Sequence, residues 1–358
     1  MKRFYQLFAS TLLAALSVVL TATAVRAEDI KLRIASGHPA ANTYVNLMQN
    51  FFVPEVTKRV AAKTKHKVEF IEGYGGSMVK VADTLEGVQS GIIDIGGYCF
   101  CFEPSNLPLH AFQVMLPFGT MDPETSVKLA RAVYDKVPYL SKVFEDKYRQ
   151  KLLALIADNG YNLGTTFDWS TVADLKGRKL AGAGLNLKWL EFAGATPVQS
   201  SLPEAYTAMQ TGVYNGWIMF PSGWVNFKLH EVGKFYTEVG FGAITWHGLT
   251  MNSAKFAKLP KEVQQIIVEV AREFEVRTGT VNKENYPKQL DQLKSLGTTV
   301  KSVPASVKLD WANSLKDWPQ QKAAELDKQG MPASQVLKLT LEEAEKLGHK
   351  WPVRYAVK

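Results

Sequence analysis

The sequence predicts an α/β fold in two domains, with parallel strands flanked by helices. Three observations predict it. The first hundred residues alternate as βαβαβ, with loops rich in Gly and polar groups at the strand ends. The stretch Asp174–Pro221 repeats the αβ alternation, and such runs build parallel sheets whose ligands sit at the carboxyl ends of the strands. Setting aside the first 27 of 358 residues leaves a chain too long for one ordinary core.

Those 27 residues read as a targeting segment. Lys2 and Arg3 form a positive head, Leu7 to Val25 is an apolar run, and Val25-Arg26-Ala27 offers a cleavage site before Glu28. No cysteine lies near that site, so no lipid anchor is expected, and no other segment reaches 18 uninterrupted apolar residues. An exported chain follows. Its formal charge falls from +8 to about +5 without Lys2, Arg3 and Arg26, and the run Lys63, Lys65, Lys67 reads as a solvated turn. No nucleic-acid partner is implied.

In chain order, Lys31–Ala35 alternates as a strand and breaks at Ser36-Gly37-His38-Pro39. An amphipathic helix is predicted over about 42–63, with Tyr44, Leu47, Met48, Phe51 and Phe52 on one face. Val68–Ile71 is a second strand, ending at Glu72-Gly73-Tyr74-Gly75-Gly76, which fits neither dinucleotide nor phosphate-loop spacing. A helix over 78–90 leads through Gly91 to a third strand, Ile92–Gly97. Cys99 and Cys101 face one side of an extended strand, where a bridge closing so tight a loop would be strained, so both are expected to be free and buried. A helix over 123–139 precedes a strand over 151–157, which runs into a polar loop, Asp158 to Asn162. Ile244–Met251 is a returning strand. The helix over 261–296 is expected to be interrupted near Tyr286-Pro287, and the tail is helical over 307–328 and 341–347.

Several pieces together resemble the periplasmic solute-binding subunit of TRAP transporters, of the dicarboxylate-binding type. They are VQSGIIDI (88–95), DLKGRKL (174–180), AGATPV (193–198), PEAYTAMQTGVYNG (203–216) and LTMNSAKFAKLPKEVQQII (249–267). The resemblance implies two α/β domains joined by crossing strands, a hinge cleft that closes on its ligand, and a long helix spanning both. It assigns residues 28–155 and about 250–285 to one domain, and 156–249 and about 286–358 to the other. It also implies a monomeric periplasmic protein that delivers a small molecule to membrane permease subunits, with no cofactor or metal.

The sequence departs from that pattern where the ligand carboxylate is held. The family usually places an Arg after the DLKGxK strand, whose forked donors match a carboxylate. Here the position is Ala181, while Arg178 comes too early and Asn159 to Asn162 carries no Arg. Losing such a pair for the same ligand would cost about 2–5 kcal/mol. Three substitutes are open: the N-terminus of the helix after Ala181–Gly184, Lys80, or an aromatic cleft built from Tyr98, Phe100, Trp217, Phe220, Trp224 and Trp246. Ser36, His38, Glu72 and Asn162, at predicted strand ends, would orient the ligand by hydrogen bonds, with Leu202 and Met219 completing the candidate ligand-binding set. The expected ligand is an organic acid with an aromatic or apolar body; an uncharged or cationic solute is the alternative. An exported α/β enzyme is the competing class, against which stands the absence of GxSxG, HExxH and CxxC.

Overall fold

The computed structural model describes residues 28–358, so the expected cleavage after Ala27 lies outside the described residues. The chain opens with β1 (Asp29–Ala35), α1 (Thr43–Leu47), α2 (Val53–Lys63), β2 (Lys67–Gly73), α3 (Thr84–Ser90) and β3 (Ile95–Cys99). It continues through α4 (Pro123–Lys136), α5 (Tyr139–Asp146), β4 (Gln150–Thr165), β5 (Lys179–Gly182), α6 (Leu187–Phe192), β6 (Thr196–Gln199), α7 (Leu202–Gln210) and β7 (Gly216–Met219). After α8 (Pro221–Asn226), α9 (Leu229–Val232) and β8 (Phe235–Asn252) come α10 (Ser253–Lys258), α11 (Lys261–Ser295), β9 (Thr299–Ser302), α12 (Ala305–Ser314), α13 (Trp318–Lys328) and α14 (Ala333–Lys346).

All nine strands join one mixed sheet, in the order β2-β1-β3-β8-β4-β7-β5-β6, with β9 also on β8. Its spine is the antiparallel pair β4–β8. The carboxyl half of β8 pairs with β3, and its amino end pairs with β9, while the far end of β4 pairs with β7. Two strand groups thus share one ribbon. Four register shifts interrupt the ribbon between Leu152 and Leu163, and Gly240 and Gly242 on β8 take positive φ of 75° and 120°. Bulges and glycine are how a strand pair bends between two packing units. One apolar core gathers β1, α1, α2 and the first half of α11, including Leu32, Val45, Phe52 and Phe274. A larger one carries Phe112, Val133, Trp189, Trp311 and Tyr355, tying α4 and the C-terminal helices to the rest.

Four local expectations are corrected. The helix expected over 42–63 contains a π-turn at Met48–Phe52 between α1 and α2. The strand expected to stop at Ala157 continues to Thr165, because its polar residues find partners. Asn159 Nδ2 donates to Asn282 O (2.8 Å), Asn282 Nδ2 donates to Ala157 O (2.9 Å), and Asn162 Oδ1 accepts from Gly240 N–H (2.9 Å). Likewise α11 runs unbroken through Pro287, where the neighbouring Tyr286 is anchored by donating to Glu238 Oε1 (2.8 Å) and accepting from Asn162 Nδ2 (2.9 Å). Cys99 and Cys101 are not free but bridged. The strand ends at Cys99, and a 3₁₀ turn over Phe100–Phe102 brings the two Cα atoms to 5.1 Å, inside bridging range.

Candidate functional site

A narrow, partly open cavity lies against the middle of the β4–β8 ribbon. It holds about 380 Å³ of atom-free space, of which only about 40 Å³ admits the centre of a water molecule. The loop after β1 supplies His38 and Asn42, and the end of β3 supplies Cys99, Cys101 and Phe102. From β7 and its end come Trp217, Ile218, Met219 and Phe220; Tyr161 comes from β4, Trp246 and His247 from β8, Leu202 from α7, and Ala183 and Asn186 from the turn after β5. Gly184 in that turn has φ 62°, and a Cβ there would stand 2.6 Å from Cys101 O, so only glycine lets the two loops touch across the cavity. Asn226 Nδ2 donates to Ala41 O (2.8 Å), tying α8 to the loop before α1.

The walls are aromatic and mutually edge-on. Tyr161 packs against Phe220 at 5.2 Å and Trp246 at 5.9 Å between ring centroids, and Trp217 meets Tyr214 at 6.0 Å. Behind them is a buried polar cluster. Asp158 Oδ2 accepts from Tyr161 Oη–H (2.7 Å) and Trp246 Nε1–H (2.9 Å). Nδ1 of His247 stands 3.2 Å from the same oxygen, without hydrogen-bond alignment. On the other side, His38 Nδ1 lies 3.0 Å from Tyr44 Oη, which is 2.9 Å from Ser36 Oγ. Burial pushes the Asp158 carboxyl up to about 7 and the His247 imidazole down to about 3. His38 is likewise pushed down to about 3, first by burial and then by His247.

Residues 42–325 match the DctP family, described as bacterial extracellular solute-binding protein, family 7. The chain belongs to that family, the solute-binding subunits of TRAP transporters. A solute-binding protein of Albidiferax ferrireducens is 34% identical over 255 residues, covering 70% of this chain and 73% of its own length. The C4-dicarboxylate-binding periplasmic protein DctP of Rhodobacter capsulatus is 25% identical over 278 residues, covering 69% and 81%. Three solved structures share the fold. A marine-metagenome TRAP solute-binding protein specific for aromatic acids, in complex with 3-hydroxybenzoate, aligns with TM-score 0.79 at 21% identity, over 89% of this chain and 99% of that one. A Rhodoferax ferrireducens TRAP protein with copurified benzoate aligns at 0.78 and 19% identity, over 89% and 98%. A Bordetella bronchiseptica TRAP protein with bound mandelate aligns at 0.77 and 22%, over 89% and 99%.

Against the DctP pattern, among the described residues no Arg or Lys lines the cavity. Ala181 is fully buried inside β5, paired with Val198 and Trp217, and Arg178 lies over the Phe167 ring at 4.4 Å. Two donors ahead of the helix are taken: Ala183 N–H donates to Asn186 Oδ1 and Gly184 N–H to Gln199 Oε1, each at 2.8 Å. Lys80 is exposed on a neighbouring depression between Gly75-Gly76 and the Gln199–Glu204 loop, which shares Phe102 with the cavity, and Lys80 itself does not line the cavity.

The structure brings His38, Leu202, Trp217, Met219, Phe220 and Trp246 together at the cavity. Ser36 lies one layer behind, holding Tyr44. Glu72 is exposed and accepts from Tyr74 Oη–H. Tyr98 donates to Gln150 in the core, Phe100 packs on His110 and Phe144, and Trp224 donates to Gly233 O, so these three rings are core and not wall. Asn162 sits inside β4, not at a strand end, with its amide committed to Tyr286 and Gly240. Sequence reasoning missed Asn42, Phe102, Tyr161, Ala183, Asn186, Ile218, His247 and the Cys99–Cys101 bridge as wall, and Asp158 behind it. The adjacency of Trp246 to His247 was the one signal along the chain. Their pairing with β4 is a cross-strand fact that spacing along the chain does not carry.

Proposed function

We propose that the chain is a periplasmic receptor that traps an organic acid with an aromatic or apolar body in this cavity. It hands the acid unchanged to the membrane permease subunits of a TRAP transporter. The observation that carries the reading is a narrow cavity walled by Phe102, Tyr161, Trp217, Phe220 and Trp246. Flat rings suit an aromatic face, each pair adding about 0.5–1.5 kcal/mol beyond buried area. The relatives in the same fold that hold benzoate, 3-hydroxybenzoate and mandelate support the same ligand class. The protein works as an exported monomer cleaved after Ala27. Its lobes are residues 28–155 with about 250–285, and 156–249 with about 286–358; both crossings of the ribbon then fall in β4 and β8, whose bulges and glycines would bend as the lobes part.

The test is a thermal-shift and calorimetry screen of the mature protein against benzoate, mandelate, benzyl alcohol and benzylamine. A ligand at 100 times its Kd adds about 2.7 kcal/mol of stability, which such a screen resolves. Stabilisation by the acids is expected. Stabilisation by the alcohol or the amine alone overturns the acid reading, and turnover of a bound compound overturns the receptor reading.

A further inference from the structure

Resting on the acid-binding reading, we propose that the ligand's carboxylate is captured together with a proton at the His38–His247 pair, which takes the place of the missing arginine. His38 on the loop after β1 and His247 on β8 both line the cavity, and the ring of Tyr44 touches both, at 6.1 and 5.2 Å between centroids. His38 Nδ1 faces Tyr44 Oη at 3.0 Å, and His247 Nδ1 lies 3.2 Å from Asp158 Oδ2 without a hydrogen bond. Among the described residues, Nε2 of neither ring has a protein hydrogen-bond partner. Two ring nitrogens of the kind that can each carry a proton are therefore left for the ligand.

The other groups facing the pair are few. Asp158 and Tyr161 come from β4, the Trp246 N–H from β8, Tyr44 from α1, and the non-titrating Cys99–Cys101 bridge from β3. A carboxylate entering such a space without a counter-charge would lose its hydration and gain no cation, which costs several kcal/mol. Protonating one imidazole removes that penalty. Burial keeps both rings neutral when no anion is near, and an anion within contact distance reverses the preference. The balance is simple: one ligand carboxylate and one proton from solvent enter, and a carboxylate–imidazolium pair forms with no change in net charge of the cavity. Asp158 acts on both partners of that pair. Its ionised form, 3.2 Å from His247 Nδ1, would steady an imidazolium there while repelling the ligand's carboxylate, so proton uptake is read for the whole cluster.

Proton uptake makes affinity pH-dependent with a definite sign. Where the empty pair is neutral and the occupied pair holds one proton, Kd rises roughly tenfold for each pH unit. The experiment is isothermal titration of the mature protein with benzoate from about pH 6 to 8.5, in phosphate and in Tris, whose different ionisation heats report the protons taken up. Uptake near one proton per benzoate, with Kd rising on the alkaline side, is expected. In the His38→Gln/His247→Gln double variant the uptake should vanish and the pH slope flatten. Benzoate binding with no proton uptake and a flat Kd overturns the proposal and leaves the acid reading standing. Failure of benzoate, mandelate and 3-hydroxybenzoate to bind at any pH sinks the acid reading and the proposal with it. The wild-type titration decides between these outcomes even where the double variant does not fold.

Discussion

Replacing Trp217 by leucine separates a wall of the binding cavity from a piece of core. Trp217 is 2% exposed on β7, cross-paired with Gly164 on β4 and Ala181 on β5, with its ring edge-on to Tyr214. One side of the indole packs on protein and the other faces the cavity. Leucine keeps much of the packing but presents no flat face. Removing a central aromatic ring from a desolvated pocket costs about 1–3 kcal/mol, so Kd for benzoate should rise roughly 5- to 150-fold. Trp224 provides the control, because it is wholly buried, packs on Tyr236 and lines no part of the cavity. Trp224→Leu should lower the unfolding midpoint, and any folded fraction should bind benzoate with near wild-type affinity. The assay is calorimetric Kd beside a circular-dichroism melt for each variant. An unchanged Kd in folded Trp217→Leu would refute the stacking argument and return that ring to the core.

Asp158 should leave a mark on stability against pH. Its carboxyl is held up to about 7 by burial, against about 3.9 in an unfolded chain. The folded protein keeps a proton that the unfolded chain has released, so this contribution is full below about pH 4 and is lost as pH rises through 7. Asp158→Asn removes that loss and should gain stability relative to wild type between about pH 6 and 8; parallel curves would contradict the buried assignment. Conversely, His38 and His247, pushed down to about 3, favour the unfolded chain as pH falls below about 6.5, and replacing both should flatten the acid limb. Glu275 on α11 accepts from Arg131 of α4 (2.8 and 2.5 Å) and from Leu155 N–H of β4 (2.7 Å), with its side chain buried. Glu275→Leu leaves Arg131 only its longer contact with Asp135 (3.6 Å) and should cost about 3–5 kcal/mol in denaturant unfolding; a cost below about 1 kcal/mol would show that water replaces it. The Cys99–Cys101 bridge closes a three-residue loop, worth about 1–2 kcal/mol by loop entropy. The double alanine variant should lose that much, and unreduced, denatured protein should take up no alkylating reagent.

What could be read in the chain and what could not divides along a physical line. The order of strands and helices from Asp29 to Cys99, and from Lys179 to Met219, was legible because apolar spacing answers to local packing. Even so, the helix over 42–63 is broken by a π-turn, the helix expected over 78–90 begins at Thr84, and the third strand runs Ile95–Cys99. The length of β4 was not, because Asp158 to Asn162 has the composition of a loop. Those residues stay in a strand because Asn282 and Tyr286, more than a hundred positions away, accept from Asn159 and Asn162, and Asn282 donates to the neighbouring Ala157. Pro287 misled for the same reason. The cysteines misled through geometry: two residues on an extended strand would stand about 6.6 Å apart, and the turn at Phe100 shortens that to 5.1 Å.

The cavity follows the same division. Trp217, Phe220 and Trp246 announced themselves as large rings where a strand ends or crosses, and the absent arginine meant that an acid ligand would have to be held in another way. The substitutes that suggested themselves, Lys80 and a helix N-terminus, were groups already charged or polar by type. The structure sets Lys80 on a neighbouring depression rather than in the cavity wall, and Asn186 and Gln199 take the Ala183 and Gly184 N–H groups. What remains inside is a set of groups whose charge depends on their surroundings: His38, His247 and Asp158. Such residues carry no fixed sign in a sequence, and only their placement together on the β1 loop, β8 and β4 turns them into a site. A cleft that gives up arginine for histidine exchanges a permanent charge for one that arrives with the ligand.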